Sequence, residues 1–157
     1  MLFARDVTGP LSSLLKQFDA AVAKNKEADM RSFAIFLTDD GDAMEAKLKS
    51  LAEKEKISEN VPLAVVEDVA GPEAYKINKD ADVTVILYAK GQVVKNFAFK
   101  AGQLKEKDVK AIVAELPKIL PSDEDVKEKA DKEAKKKREL EELKKKLESK
   151  EKKEEKK

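Results

Sequence analysis

The last 37 residues of the chain cannot contribute to a core. Positions 121–157 hold 15 Lys or Arg and 13 Asp or Glu, and their only large aliphatic residues are Val126, Leu140, Leu143 and Leu147. A segment so charged has too little apolar surface to offset the conformational entropy of ordering it in a globule. Any globular fold is therefore confined to residues 1–120, with a Lys/Glu-rich tail over 121–157. The 157-residue chain is 41% apolar overall, and that content is concentrated ahead of the tail, as one ordinary domain requires. Residues 1–120 carry 18 basic and 19 acidic side chains, so the body is near −1 and the tail near +2. Neither charge is a strong attraction for nucleic acid or an acidic membrane, and no partner of either kind is expected.

The chain has no Cys and no His. Thiolate chemistry, disulfides, haem or iron–sulfur attachment, the usual zinc sites and the commonest general base are all removed by that absence, and no cofactor or metal is expected. The opening residues MLFARDVTGP place Arg5 and Asp6 before any useful apolar run. They do not read as a signal peptide, and no segment approaches the ~20 apolar residues of a membrane span, so the cytoplasm is the default expectation.

Within the body, strand and helix patterns alternate. Leu2–Asp6 is a short strand candidate closed by Gly9-Pro10, and Leu14, Leu15, Phe18, Ala21 and Val22 then recur on one helical face. Ser32–Thr38 is a continuous apolar run suited to a parallel strand covered on both faces. Asp42, with Glu45 three residues on, predicts a capping box before a helix carrying Met44, Leu48 and Leu51. Val61–Val66 predicts a strand, Gly71-Pro72 a short helix through Tyr75 and Ile77, and Thr84–Ala89 with Val93–Phe99 a hairpin across Lys90-Gly91-Gln92. Val109, Ile112, Val113 and Leu116 mark a last helix bounded by Pro117 and Pro121. The order β-α-β-α-β-α-β-β-α predicts an α/β fold with helices on both faces of a five-stranded mixed sheet.

In this arrangement the chain resembles the thioredoxin superfamily, and its layout is similar to the peroxiredoxin-like and thiol-disulfide-oxidoreductase branch. Phe3–Leu11 resembles the strand and Cys-Gly-Pro-Cys turn of that family, with Thr8 in the place of the attacking cysteine, Leu11 in that of the resolving one, and Gly9-Pro10 between them. Asp82-Val83-Thr84 and the hairpin and helix that follow resemble its Pro-Thr strand, turn and terminal helix, with Val83 where the cis-proline stands. The resemblance implies a three-layer α/β/α domain with sheet order 63–66, 32–38, 2–6, 84–89, 93–99, the last strand antiparallel, and a vestigial active site at Thr8, Gly9, Pro10, Leu11, Val83 and Thr84. A cis bond before a residue other than proline costs about 2.5–4 kcal/mol, so the bond before Val83 is expected to be trans.

These residues point first to a redox-inactive binding or scaffold module. A helix N-terminus lowers the pKa of a thiol, but the hydroxyl of Thr8 lies too high for the same help to ionise it, and its plain use, with Ser12 or Ser13, is to cap the helix. Two alternatives stand beside that reading. One is a cysteine-free hydrolase or transferase using Thr8 with Asp6, Asp82 or Lys90; the other is a designed or pruned chain without a natural function. Asp39, Asp40 and Asp42 around Gly41 invite a cation, but lack the EF-hand spacing. In the tail, acids precede bases by four residues at Glu128/Lys132, Asp131/Lys135 and Glu141/Lys145, which supports a solvated helix. Leu140, Leu143 and Leu147 make a short seam for an unknown protein partner or weak self-association, although Glu133 and Lys136 interrupt its heptad. A monomer or weak homo-oligomer is expected.

Overall fold

A computed structural model describes residues 1–154. Two compact units divide the chain, Met1–Leu120 and Pro121–Lys157.

The first unit is built on five strands, β1 (Leu2–Ala4), β2 (Ala34–Leu37), β3 (Leu63–Val66), β4 (Val83–Ala89) and β5 (Gln92–Phe99), in the sheet order β3-β2-β1-β4-β5. Three helices join them, α1 (Gly9–Lys24), α2 (Gly41–Glu55) and α3 (Glu106–Glu115), the last running on into a 3₁₀ turn at Leu116–Ile119. The protein is thus α/β with a mixed sheet. β1, β2 and β3 are mutually parallel, and β4 is antiparallel to both β1 and β5. The reversed strand is therefore β4, inside the sheet, and not the last strand as the sequence reading had it. The pairing of β4 with β1 fixes this, Leu2 lying opposite Val85 and Ala4 opposite Val83, and the two-residue turn at Lys90 and Gly91, with φ of 52° and 77°, then returns β5 parallel to β1.

The expectation of helices on both faces does not hold. Buried residues of α1 (Leu11, Leu14, Leu15, Phe18), α2 (Met44, Leu48, Leu51) and α3 (Val109, Ile112) join one cluster with Leu2, Ala4, Ala34, Phe36, Val83, Val85 and Leu87, which share one face of the sheet. The reason is topological. The chain steps from β1 to β2 to β3 in one direction, so right-handed crossovers put α1 and α2 on the same side. The opposite face carries a small cluster of Phe3, Leu37 and Ile86 with Met1, Ile35, Val66 and Ile77 against it. Its cover is the segment 67–82, whose only regular element is a 3₁₀ turn at Glu73–Tyr75, in place of the helix expected from Gly71-Pro72. The Tyr75 ring lies 5.1 Å from that of Phe3 at 52°, an inclined aromatic contact. Gly71 adopts φ of 73°, and a Cβ there would come within 2.9 Å of both Ile77 and Leu37, so the bend needs glycine twice over.

Met1 is part of the sheet. Its amine donates to Ile86 O and Ile86 N donates to Met1 O, both at 2.9 Å. Burial lowers the pKa of that amine from 8.0 to about 6. Between those values the unfolded chain binds more protons than the folded one, so stability is lowest below about pH 6 and rises with pH up to about 8. A chain with a free Met1 amine should gain about 2–3 kcal/mol across the window in denaturant titrations. The acetylated chain should lose that slope, and an equal slope in both would refute the assignment.

The second unit is one helix, α4 (Asp123–Glu154). It starts in a reciprocal cap the sequence reading did not identify: Asp125 Oδ2 accepts from the Ser122 N–H and hydroxyl at 3.0 and 2.8 Å, while Asp125 N donates to Ser122 Oγ. Glu128 and Lys132 form an i,i+4 ion pair. Leu140 and Leu143 are 55% and 57% exposed; the side chain of Leu147 lies outside the described residues. Among the described residues no helix is long and apolar enough to cross a membrane.

Candidate functional site

A groove of about 970 Å³ lies between α1 and α2 at the mouth of α1. Its position follows from local sequence. β1 ends at Ala4, and Thr8 stays extended (φ −119°, ψ 159°), so that its hydroxyl accepts from Leu11 N at 3.4 Å. Thr8 O accepts from Ser12 N at 2.9 Å and Ser12 Oγ at 3.0 Å, and Pro10 occupies the first turn, where a missing N–H is harmless. Thr8 is therefore the cap; Ser12 and Ser13 lie inside the helix, and Ser13 Oγ reaches Glu106 of α3 at 3.1 Å.

Thr8, Gly9, Ser12, Ser13 and Ser50 line the groove with hydroxyls and backbone, and Val7, Ala46 and Leu51 supply its apolar part. Two ion pairs span it. Lys47 of α2 meets Asp6 at 3.3 Å, and Lys16 of α1 meets Glu55 at 3.7 Å. Lys54 adds a third cation to the lining. Asp6 is also bonded to its neighbour Val7 N at 2.8 Å, so it is placed to hold the loop and a lysine, and it makes no hydrogen bond with Thr8 among the described residues.

The six positions carried by the resemblance take different local roles. Thr8 and Gly9 border the groove, while Leu11 and Val83 are buried in the helix-covered core. Val83 pairs with Ala4 and Phe99, and the bond before it is trans. Thr84 follows on the opposite face of the sheet, opposite Phe3 and Ala98. Its hydroxyl is buried without a hydrogen-bond partner. Thr84→Val should therefore be neutral or stabilising by about 1 kcal/mol in chemical denaturation, because it removes an unsatisfied polar atom at nearly constant volume; a loss of stability would reveal a partner for that hydroxyl.

Asp82 sits beside the mouth. Burial raises its pKa, the nearby Asp6 carboxylate adds to the rise and Arg5 opposes it. Arg5 itself went unremarked as a structural residue in the sequence. Its Nε and Nη2 donate to Val69 O at 3.2 and 2.9 Å, and Nη1 donates to Asn78 O and Ala81 O, so one guanidinium holds both ends of the 67–82 segment. An arginine next to a strand end is too common a feature to have signalled this.

Of the aspartates around Gly41, one has a structural use. Asp40, not Asp42, caps α2, its Oδ1 accepting from Ala43 N at 3.0 Å; the helix begins two residues earlier than the capping-box pattern predicts, and Glu45 pairs with Lys49 at 3.4 Å instead. Among the described residues no three acidic side chains converge to hold a metal ion. Compared with known proteins, the chain matches no family model, no curated protein and no solved structure.

Proposed function

We propose that residues 1–120 are a thioredoxin-like domain that uses the mouth of its first helix for binding and not for thiol chemistry, a module without enzymatic activity of its own. The observation that carries this reading is the pairing of β1 with parallel β2 on one side and antiparallel β4 on the other, with α1 leaving β1 through Thr8-Gly9-Pro10. That is the arrangement in which the fold presents a helix N-terminus beside a strand end. Here the hydroxyl at that mouth is occupied as a cap, and the lysines and acids around it are set across an open groove. Such a surface offers hydrogen bonds and balanced charge to a polar ligand. The tail, with Leu140 and Leu143 exposed, is a second place for a protein contact.

Two experiments test the two halves of the proposal. In the double variant T8C/L11C, a preserved thioredoxin-like mouth should bring the two sulfurs into a reversible disulfide and hold the exposed thiol below the ordinary pKa of about 8.5. Failure to form the disulfide in a folded variant would remove the resemblance. For binding, Gly9→Trp fills the groove, and a Cβ at Gly9 meets nothing within 4 Å, so the fold should survive. Ligands retained by the parent chain should be lost by this variant at unchanged thermal stability; retention of the same set would place binding elsewhere.

A further inference from the structure

A second surface, remote in composition from the lysine-bordered groove, has the attributes of a strand acceptor. β3 is an edge of the sheet. Its inner side is paired: Ala34 N donates to Pro62 O at 2.9 Å and Thr38 N to Val66 O at 3.1 Å. In a parallel pair, alternate residues face opposite edges, so Leu63 and Val65 direct their N–H and C=O groups away from β2. Edge strands are normally blunted by charge, proline or a covering element, yet Leu63-Ala64-Val65-Val66 has neither charge nor proline within it. The other edge, β5, is protected by Lys95.

Beside this open edge is a cleft of about 530 Å³ between β3 and α2. Leu48, Ala52, Ile57, Val61, Leu63 and Val65 give it an apolar wall, and Glu45, Lys49 and Glu59 are its charged groups. Lys49 is engaged by Glu45, while Glu59 is exposed and has no basic partner among the described residues, so the cleft is net acidic. Leu63 and Val65 belong to the helix-covered side of the sheet, as the cleft does. A strand added alongside β3 would thus turn every second side chain into the cleft.

We propose that this edge and cleft take an extended peptide with aliphatic residues at alternate positions and basic residues flanking them, bound as a sixth strand on β3. Main-chain bonds to Leu63 and Val65 supply the binding, and the apolar wall selects the side chains. Charge favours a basic peptide over a second copy of the chain, because self-pairing through β3 would bring two acidic rims together. The inference is independent of the function assigned to the groove at Thr8.

The test uses the full-length, isotope-labelled chain and the peptide acetyl-Lys-Val-Ser-Ile-Lys-amide, followed by NMR. Saturable shifts at residues 45–65 are expected, together with slowed exchange of the Leu63 and Val65 amides. Two N-methylated peptides, one blocked at the odd positions and one at the even, separate strand addition from simple hydrophobic contact. One should bind about tenfold more weakly and the other like the parent, since only one set of N–H groups can face β3. Glu59→Lys should weaken binding several-fold without changing the fold. Equal binding of both methylated peptides, shifts confined to the groove at Thr8, dimerisation through β3 in place of peptide binding, or no saturable shift at about 1 mM peptide would each overturn the proposal.

Discussion

Phe36→Ala is expected to lower the stability of residues 1–120 by about 3–5 kcal/mol. Phe36 is fully buried on β2, between β1 and β3, and its side chain belongs to the cluster that α1, α2 and α3 all join. Removing the ring loses its transfer free energy and leaves a cavity bordered by several elements, which cannot all move inward without breaking their own contacts. Against the roughly 5–15 kcal/mol available to a domain of this size, that is a large fraction of the whole. The midpoint of denaturation should fall while the denaturant slope stays constant, and Phe36→Leu should recover most of the loss. A decrease under about 1 kcal/mol would mean that the site collapses freely, contrary to the packing described here.

The second large effect is local. Arg5→Ala should destabilise the protein by about 2–3 kcal/mol, because three carbonyl groups lose a charged donor at once and must be hydrated or left unpaired. The consequence falls on the 67–82 segment, which Arg5 holds at Val69, Asn78 and Ala81. Hydrogen exchange should accelerate there and around Phe3, whose ring is covered by Tyr75, while α1 and α3 keep their protection. Arg5→Lys should rescue only part of the effect, since a single ammonium cannot span carbonyls that the forked guanidinium reaches together. Uniform acceleration across the unit would instead identify Arg5 as part of the global core. With the helices on the other side, Arg5 ties down the segment that covers the small cluster on the sheet's second face.

The contrast between Phe36 and Arg5 shows what could be read from residue order alone. Phe36 lies in an apolar run whose length and composition announce a buried strand, and hydrophobic burial is a property each residue carries with it. Arg5 has no such signature, because its partners are carbonyl groups more than 60 residues away. The Thr8 cap was legible for the same reason as Phe36: a cap bonds to an amide three residues on. The groove at the mouth of α1 was legible only in part, since Lys16, Lys47, Lys54 and Glu55 come to it from two helices whose relative placement the local pattern does not contain. Likewise Asp42 and Asp40 both suit a cap, and backbone geometry at Asp40 chose between them.

Local chemistry by itself determined the boundary at residue 120, the strand and helix alternation, the lack of thiol and imidazole, the α1 cap and the glycine at the Lys90-Gly91 turn. Those features depend on side-chain hydrophobicity, charge and contacts within a few residues. Only the tertiary structure decided which strand runs backwards, that α1, α2 and α3 share one face, and that the segment 67–82, tied by Arg5, covers the other. These depend on the direction in which successive strands are laid down and on pairings between distant backbones, and neither is a property of any short stretch of chain.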